Sequence, residues 1–158
     1  MNSFKEGKMR IKKLLGFHKF LVLIIITSCR FNSESINQEE DRQEAEVITA
    51  RLYENIKAKN YEATWELYSK DFFKVASKEQ LTKIYIKTHQ KLGNLKEINL
   101  ATWKTRRVEG SNPFAEYSFI YKNKYDKYDA TETIRLIQEG NKSIRIVFYN
   151  IISDGFME

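Results

Sequence analysis

Residues 130–152 read ATETIRLIQEGNKSIRIVFYNII and decide the class of fold. Residues 130–138 and 143–152 are rich in apolar and β-branched residues, and the polar sequence Glu139-Gly140-Asn141 between them is typical of a turn. Two strands joined by so short a turn pair antiparallel. The stretch therefore predicts a β-hairpin, and two-residue alternation places four apolar residues of its second strand on one face: Ile144, Ile146, Phe148 and Ile152.

Two further strands precede this hairpin. Residues 95–108 alternate in part between apolar and polar residues, and a cluster of turn residues follows at 109–113. Residues 114–123 form the next predicted strand, and one of its sides collects Ala115, Tyr117, Phe119 and Tyr121. The second half of the chain thus predicts an antiparallel sheet of about four strands.

The first half of the chain has helical periodicity. Apolar residues recur at spacings of three and four over residues 44–59, and Asn60 is a good N-cap for a short second helix. Ser77 and Gln80 form a capping-box pattern that opens a third helix, and Gly93 stands where its C-terminal glycine is expected. Helices followed by strands predict an α+β fold, with the N-terminal helices packed on one face of a curved antiparallel sheet.

Residues 1–28 have the order of a secretory signal peptide. A basic region is followed by an unbroken apolar run at residues 20–26 and by small residues at 27 and 28. This run is much shorter than the about 20 apolar residues that a membrane-spanning helix needs. The sequence leaves open whether translation starts at Met1 or at Met9.

Composition and charge exclude several classes of protein. The 158 residues fit one domain, and 42 % of them are hydrophobic, which suffices for a packed core. Of the 27 basic and 21 acidic residues, six basic and one acidic lie in residues 1–28, which leaves a net charge of only +1 on the rest. We therefore expect no nucleic-acid partner. A single Cys excludes internal disulfides. Two His leave little for a histidine metal site, and we expect no metal or cofactor.

The end of the leader, Ile26-Thr27-Ser28-Cys29, resembles the lipobox of bacterial lipoproteins, which runs aliphatic, small, small, cysteine. In that family the cysteine receives a diacylglyceryl group and the leader is cut off before it. The resemblance implies a signal peptide over residues 1–28 and a lipidated Cys29. The polar composition of residues 30–43 adds a flexible tether over 29–43, ahead of a single domain over 44–158.

The same resemblance implies a location. Two or more lipid chains anchor a protein stably to a membrane without spanning it. We therefore expect a lipid-anchored, extracytoplasmic protein of the bacterial cell envelope. The lack of Asp at position 30 favours the outer membrane if the cell has two membranes.

Three stretches carry a second resemblance: YENIKAKNYEATW at 53–65, KLGNL at 91–95, and the hairpin at 132–151. Their order over residues 44–152 resembles the cone-shaped fold of the nuclear-transport-factor-two-like superfamily, also called the cystatin-like cone. Several lipobox-bearing members of that superfamily are domains of unknown function, and this chain is similar to those. Its enzymatic members place acids, His or Tyr inside the cavity of the cone.

Three residues are candidates for such a cavity. Alternation places Glu132 on the same face as Ile134, and Asn150 on the same face as Phe148. His89 lies at the edge of the apolar stripe of the third helix. A carboxylate, an amide and an imidazole form a general acid/base site if the fold brings them together, but no spacing in the sequence forces this.

Two functions remain open on the sequence. The first is a noncatalytic envelope lipoprotein whose domain binds a partner protein, a peptide or a small ligand, and the mostly apolar inward positions favour it. The second is a small-pocket enzyme of isomerase or dehydratase type, which a cavity lined by Glu132, His89 and a Tyr with strongly shifted pKa values would favour. A structural tether without a pocket is a third.

The last strand has a second apolar side, formed by Val147, Tyr149 and Ile151. A sheet with one solvated face alternates apolar with polar residues, so this side needs a cover. We expect a homodimer, or a protein partner docked on this outer sheet face.

Overall fold

The structure, a computed structural model, describes residues 33–140 and 142–158. After one short strand the helices precede the rest of an antiparallel sheet, so the fold is α+β as predicted. Two 3₁₀ helices, Glu62–Leu67 and Asp154–Phe156, accompany the main elements. Those elements are β1 (Ser33–Ile36), α1 (Glu39–Lys57), α2 (Phe72–Val75), α3 (Lys78–Leu92), β2 (Leu95–Glu97), β3 (Leu100–Glu109), β4 (Phe114–Tyr125), β5 (Asp129–Gln138) and β6 (Ile144–Ile152).

The sheet has six strands in the described residues rather than about four. Its order is β1-β3-β4-β5-β6, and neighbouring strands in this order are antiparallel. β2 pairs antiparallel with the end of β4 that β3 leaves free. The predicted strand at residues 95–108 is thus two strands along one edge of β4. They separate where the backbone N–H of Asn99 donates to Asn123 Oδ1 at 3.1 Å instead of continuing the ladder.

The first strand lies where the sequence predicted a flexible tether. Ser33–Ile36 pairs with β3, and α1 begins at Glu39 instead of residue 44. The prediction of a tether over residues 29–43 is therefore wrong from residue 33 onward, and residues 29–32 lie outside the described residues. The side chains of β1 are mostly exposed. Because its attachment to the edge of β3 uses backbone hydrogen bonds, the polar composition does not reveal it.

The core lies between α1, α3 and one face of the sheet, and the described residues form one compact unit. α1 contributes Ala45, Leu52 and Tyr53, and α3 contributes Leu81, Tyr85 and Leu92. Burial of each large apolar side chain stabilises the fold by roughly 1.5–3 kcal/mol. Strands β4 and β5 alternate between buried and outward-facing positions, and their inward residues are Ala115, Tyr117, Phe119, Tyr121, Asn123, Tyr125, Ala130, Glu132, Ile134 and Leu136.

Local capping chemistry fixes both ends of α3, whereas a predicted cap at Asn60 is absent. The capping box of Ser77 and Gln80 is confirmed, with both reciprocal hydrogen bonds in place at 3.2 and 2.7 Å. Gly93 follows α3 with a φ of 87°, as the C-terminal glycine should. Asn60 is not an N-cap: its backbone N–H donates to the Asn55 carbonyl and so closes the end of α1.

A β-bulge at Val147 reverses the faces of the last strand. Ile146 lies opposite Leu136 and Phe148 lies opposite Arg135, which leaves Val147 without a partner residue in β5. Beyond the bulge, Tyr149 and Ile151 pack against the core, whereas Phe148 and Ile152 are exposed. The prediction that Phe148 and Ile152 share the buried face of Ile144 and Ile146 is therefore wrong.

The outer face predicted from Val147, Tyr149 and Ile151 is wrong for the same reason. Tyr149 and Ile151 lie on the inner side of the sheet, so the apolar strip on which a homodimer or docked partner depended does not exist there. The exposed ring of Phe148 lies 4.6 Å from the Arg135 guanidinium instead.

No helix in residues 33–140 and 142–158 is both long and apolar enough to cross a membrane. The predicted signal peptide over residues 1–28 and the predicted lipid site Cys29 lie outside the described residues.

Candidate functional site

A pocket of about 210 Å³ opens where α3 and the end of α1 meet the sheet. Four tyrosines contribute to its walls: Tyr61, Tyr85, Tyr125 and Tyr149. The rings of Tyr61 and Tyr85 stack with centroids 5.7 Å apart, and Tyr85 meets Tyr149 edge to face at 5.6 Å. Such walls offer flat apolar surfaces with a few hydroxyl groups, the composition that small-molecule sites favour.

Behind two of these tyrosines lies a fully buried carboxylate, Glu132. The hydroxyls of Tyr125 and Tyr149 donate to its Oε1 at 2.8 Å and its Oε2 at 2.9 Å. Asn123 Nδ2 also donates to Oε1 at 2.8 Å. The register explains the cluster, because Glu132 lies opposite Tyr121 and Asn123 is then its diagonal neighbour on the same face.

The pKa of Glu132 is raised above the ordinary glutamate value of 4.5. Burial is the cause, and the hydrogen bonds from Asn123, Tyr125 and Tyr149 only partly offset it. Burial and the nearby Glu132 charge together raise the pKa of Tyr149 and of Tyr125. Both hydroxyls therefore stay protonated at neutral pH, and the carboxyl has only neutral donors around it.

The position of a proton on Glu132 controls the two tyrosine hydroxyls. An ionised carboxylate accepts from both of them. A protonated carboxyl donates one bond itself, to a tyrosine oxygen, and so releases the hydrogen of that hydroxyl for another acceptor. The arrangement can therefore couple a proton on Glu132 to the hydrogen-bonding character of the tyrosines that line the pocket.

Two buried hydroxyls beside this network lack a hydrogen-bond partner in the described part of the chain, Tyr53 Oη and Thr88 Oγ1. Thr88 is only 4 % exposed and lines the pocket. A buried hydroxyl without a partner costs about 1–3 kcal/mol. The wall of the pocket therefore contains a buried hydroxyl that the described part of the protein leaves without a partner.

The mouth of the pocket is basic. Lys57, Lys59 and Lys96 line it, and the lining includes no Asp or Glu. Lys96 pairs with Asp126 at 2.7 Å, whereas Lys57 and Lys59 form no ion pair within residues 33–140 and 142–158. The bonds from Lys96 and then Asn94 lower the pKa of Asp126 to about 2, so this neighbouring carboxylate is ionised and already partnered.

Lys59 adopts a backbone conformation that favours glycine. Its φ is 57°, its N–H donates to the Ile56 carbonyl, and the Asn60 N–H donates to the Asn55 carbonyl. These two bonds define a Schellman motif, whose left-handed residue is usually Gly. A left-handed conformation at a non-glycine residue costs on the order of 1 kcal/mol, so Lys59 is mildly strained at the pocket mouth.

The three predicted site residues do not share one cavity. His89 lies in the pocket wall, where its Nδ1 donates to the Gly93 carbonyl oxygen at 3.3 Å. Glu132 lies behind the wall and reaches the pocket only through Tyr125 and Tyr149. Asn150 follows the Val147 bulge and lines a different pocket, near Ile84 and Phe156. The placement of Asn150 with an inward Phe148 is therefore wrong, because the bulge turns Phe148 outward.

Several residues of the site were missed on the sequence. Asn123 and Tyr125 continue the alternation of Tyr117, Phe119 and Tyr121, so extending that pattern by two steps finds them. Tyr149 had no such signal because nothing in its segment marks the bulge. Among the described residues, no cluster of His, Cys, Asp and Glu could hold a metal ion.

Residues 49–149 match a family model described as "Protein of unknown function (DUF4019)". The chain belongs to this family. The DUF4019 match runs from within α1 to within β6, so it includes the pocket tyrosines, the mouth lysines and Glu132. The comparison with curated proteins found no match. The DUF4019 description names no activity, and the chemistry of the site therefore depends on its geometry.

Proposed function

We propose that this DUF4019 domain is a binding module that takes a small ligand into its tyrosine-lined pocket without catalysis. The observation that carries the proposal is the wall of four tyrosines, two of which are fixed in place by the buried Glu132. A pocket of about 210 Å³ suits a ligand of one or two rings. Glu132 is fully buried and does not line the pocket, which favours binding over catalysis.

Titration with indole tests this binding function. The chain from residue 32 to residue 158 contains the whole core and serves as the protein. We expect saturable shifts of the backbone amide signals of Gly93 and Leu95, which line the pocket. Tyr61→Ala should weaken binding about tenfold because it removes one stacking wall. Phe114→Ala, which removes an aromatic ring from the outer face, should not change it, and equal effects of the two variants would contradict the proposal.

A cone fold of the nuclear-transport-factor-two-like type is also part of this proposal. The support is the element order, with three helices ahead of the five strands β2 to β6 of the antiparallel sheet and a pocket between helices and sheet. An experimental structure that superimposes on members of that superfamily over residues 44–152 would support it. A different strand connection would contradict it.

We further propose a lipid anchor on Cys29, with the domain held extracytoplasmically at the cell envelope, on the outer membrane where the cell has two. The support is the lipobox-like sequence behind the basic and apolar leader. Wild-type protein should take up labelled lipid and lose residues 1–28. Cys29→Ser should abolish labelling and leave the precursor, and an unlabelled wild-type chain that keeps its leader would contradict the anchor.

The contact of Glu132 with two pocket tyrosines favours a second candidate, an isomerase or dehydratase that moves a proton through Tyr149 to Glu132. A simple probe is the exchange of the carbon-bound protons of phenylacetone in deuterated water. An acid/base enzyme should accelerate this exchange, and Glu132→Gln should abolish the acceleration while indole still binds. Exchange at the rate of buffer alone would contradict the candidate.

A further inference from the structure

The pocket mouth carries cations that the fold does not use. Lys57 and Lys59 line the pocket and form no ion pair within the described ranges, while Lys96 beside them is held by Asp126. Both free lysines stand at the C-terminal end of α1, where the helix dipole tolerates positive charge. Because no acidic residue lines the pocket, their charges are available to a ligand there.

The strained backbone at Lys59 also favours a role for this lysine in binding. Glycine would form the same left-handed turn without strain, since only the Cβ atom opposes this conformation. The peptide N–H of Lys59 bonds to Ile56, and this bond needs no side chain. What the lysine adds to the turn is therefore its long cationic side chain, on an exposed residue that lines the pocket.

We propose that the pocket selects a small organic anion, with its acidic group at Lys57 and Lys59 and its flat apolar body between the tyrosines. The anionic group is a carboxylate, sulfonate or phosphate, each of which a lysine binds as a point charge. This inference rests on the proposed binding function and adds the charge of the ligand to it.

A matched pair of ligands separates the two proposals. Indole-3-acetate and indole-3-acetamide have nearly the same shape and differ in charge. Calorimetric titration of residues 32–158 should give at least tenfold tighter binding of the acetate in low salt, and added NaCl should reduce that preference. Equal affinities would overturn the anion proposal and leave the binding function intact. Failure of indole and of both derivatives to bind would overturn both.

Two substitutions at the mouth lysines and one control substitution test whether these lysines cause the preference for the acetate. Lys59→Gly and Lys57→Met should each weaken binding of the acetate about three- to tenfold and leave the acetamide unchanged. Lys122→Met removes the same charge from an exposed position on the outer side of β4 and should affect neither ligand. Lys59→Gly should keep or raise the melting temperature, so a loss of acetate binding there cannot be ascribed to unfolding. Equal losses in all three variants would overturn the proposal.

Discussion

Two carboxylates are buried under the helices of this domain, and the protein stabilises them in opposite ways. Asp41, in the first turn of α1, pairs with Arg107 Nε at 2.6 Å. Arg107 also bonds to Tyr117 at 3.0 Å and to Gln138 at 3.2 Å. Glu132 has only neutral partners. The two clusters are about 20 Å apart along β4, measured from Tyr117 to Asn123.

The charge on Asp41 has a structural role, whereas the charge on Glu132 can change with its surroundings. At the Arg107 end, the positive and negative charges compensate each other and join α1 to the sheet. At the Glu132 end, burial opposes ionisation, so the charge of this carboxyl responds to its surroundings. Unpartnered buried oxygens occur at both ends, on Asp41 and Thr105 and on Tyr53 and Thr88, and do not distinguish them. The pocket and its two lysines without ion pairs, Lys57 and Lys59, lie at the Glu132 end of the domain.

Removal of the Glu132 carboxyl should have the largest effect on stability. Glu132→Ala leaves three buried donors without an acceptor, on Asn123, Tyr125 and Tyr149. At about 1 kcal/mol for each, the free energy of unfolding should fall by about 3 kcal/mol. Urea denaturation measures it, with Glu132→Gln as the control that keeps an acceptor and should lose less than about 1 kcal/mol. Equal losses in both variants would show that the hydrogen bonds do not matter.

Breaking the ion pair between Arg107 and Asp41 should lower the free energy of unfolding by less than removal of the Glu132 carboxyl does. Arg107→Met leaves the Asp41 carboxylate buried without a cation, and because Arg107 is 22 % exposed we expect a loss of about 2 kcal/mol. Arg106→Met is the matched control. Its partner Glu34 is largely exposed, so this variant should lose less than about 1 kcal/mol. Thermal unfolding of both variants measures the difference, and a larger loss at Arg106 would invert the comparison.

The raised pKa of Glu132 should also make stability depend on pH. Because the folded pKa of Glu132 is raised, the folded chain keeps a proton there at pH values where the unfolded chain has released it. The stabilising contribution is complete below the ordinary value of 4.5 and is lost as pH rises through the folded pKa. Stability of the wild type minus that of Glu132→Gln should therefore fall with rising pH. A difference that is constant or rises would contradict the raised pKa.

The sequence predicts the regular parts of this fold well. Strict alternation in residues 114–123 places Tyr117, Phe119 and Tyr121 inside, and the capping box of Ser77 fixes the start of α3. These signals are local, since each residue's role depends on its own neighbours in the chain. The inward placement of Glu132 follows from the same alternation and is confirmed.

What the sequence did not predict depends on tertiary pairing. At the Val147 bulge, Ile146 and Phe148 pair with two consecutive residues of β5. The bulge is visible only in this pairing, because no residue in the segment indicates it. It moves Tyr149 to the inside, where it meets Glu132, and separates Asn150 from the candidate site. β1 likewise forms only because the edge of β3 is there to receive it.

The most direct test of the pocket as the binding site is a nuclear Overhauser measurement between indole-3-acetate and the domain. We predict contacts from the indole protons to the rings of Tyr61, Tyr85 and Tyr149, which line the pocket. The exposed rings of Phe114 and Phe148 on the outer face should show none. Contacts to those outer rings, or to no aromatic ring of the pocket at saturating ligand, would contradict the account.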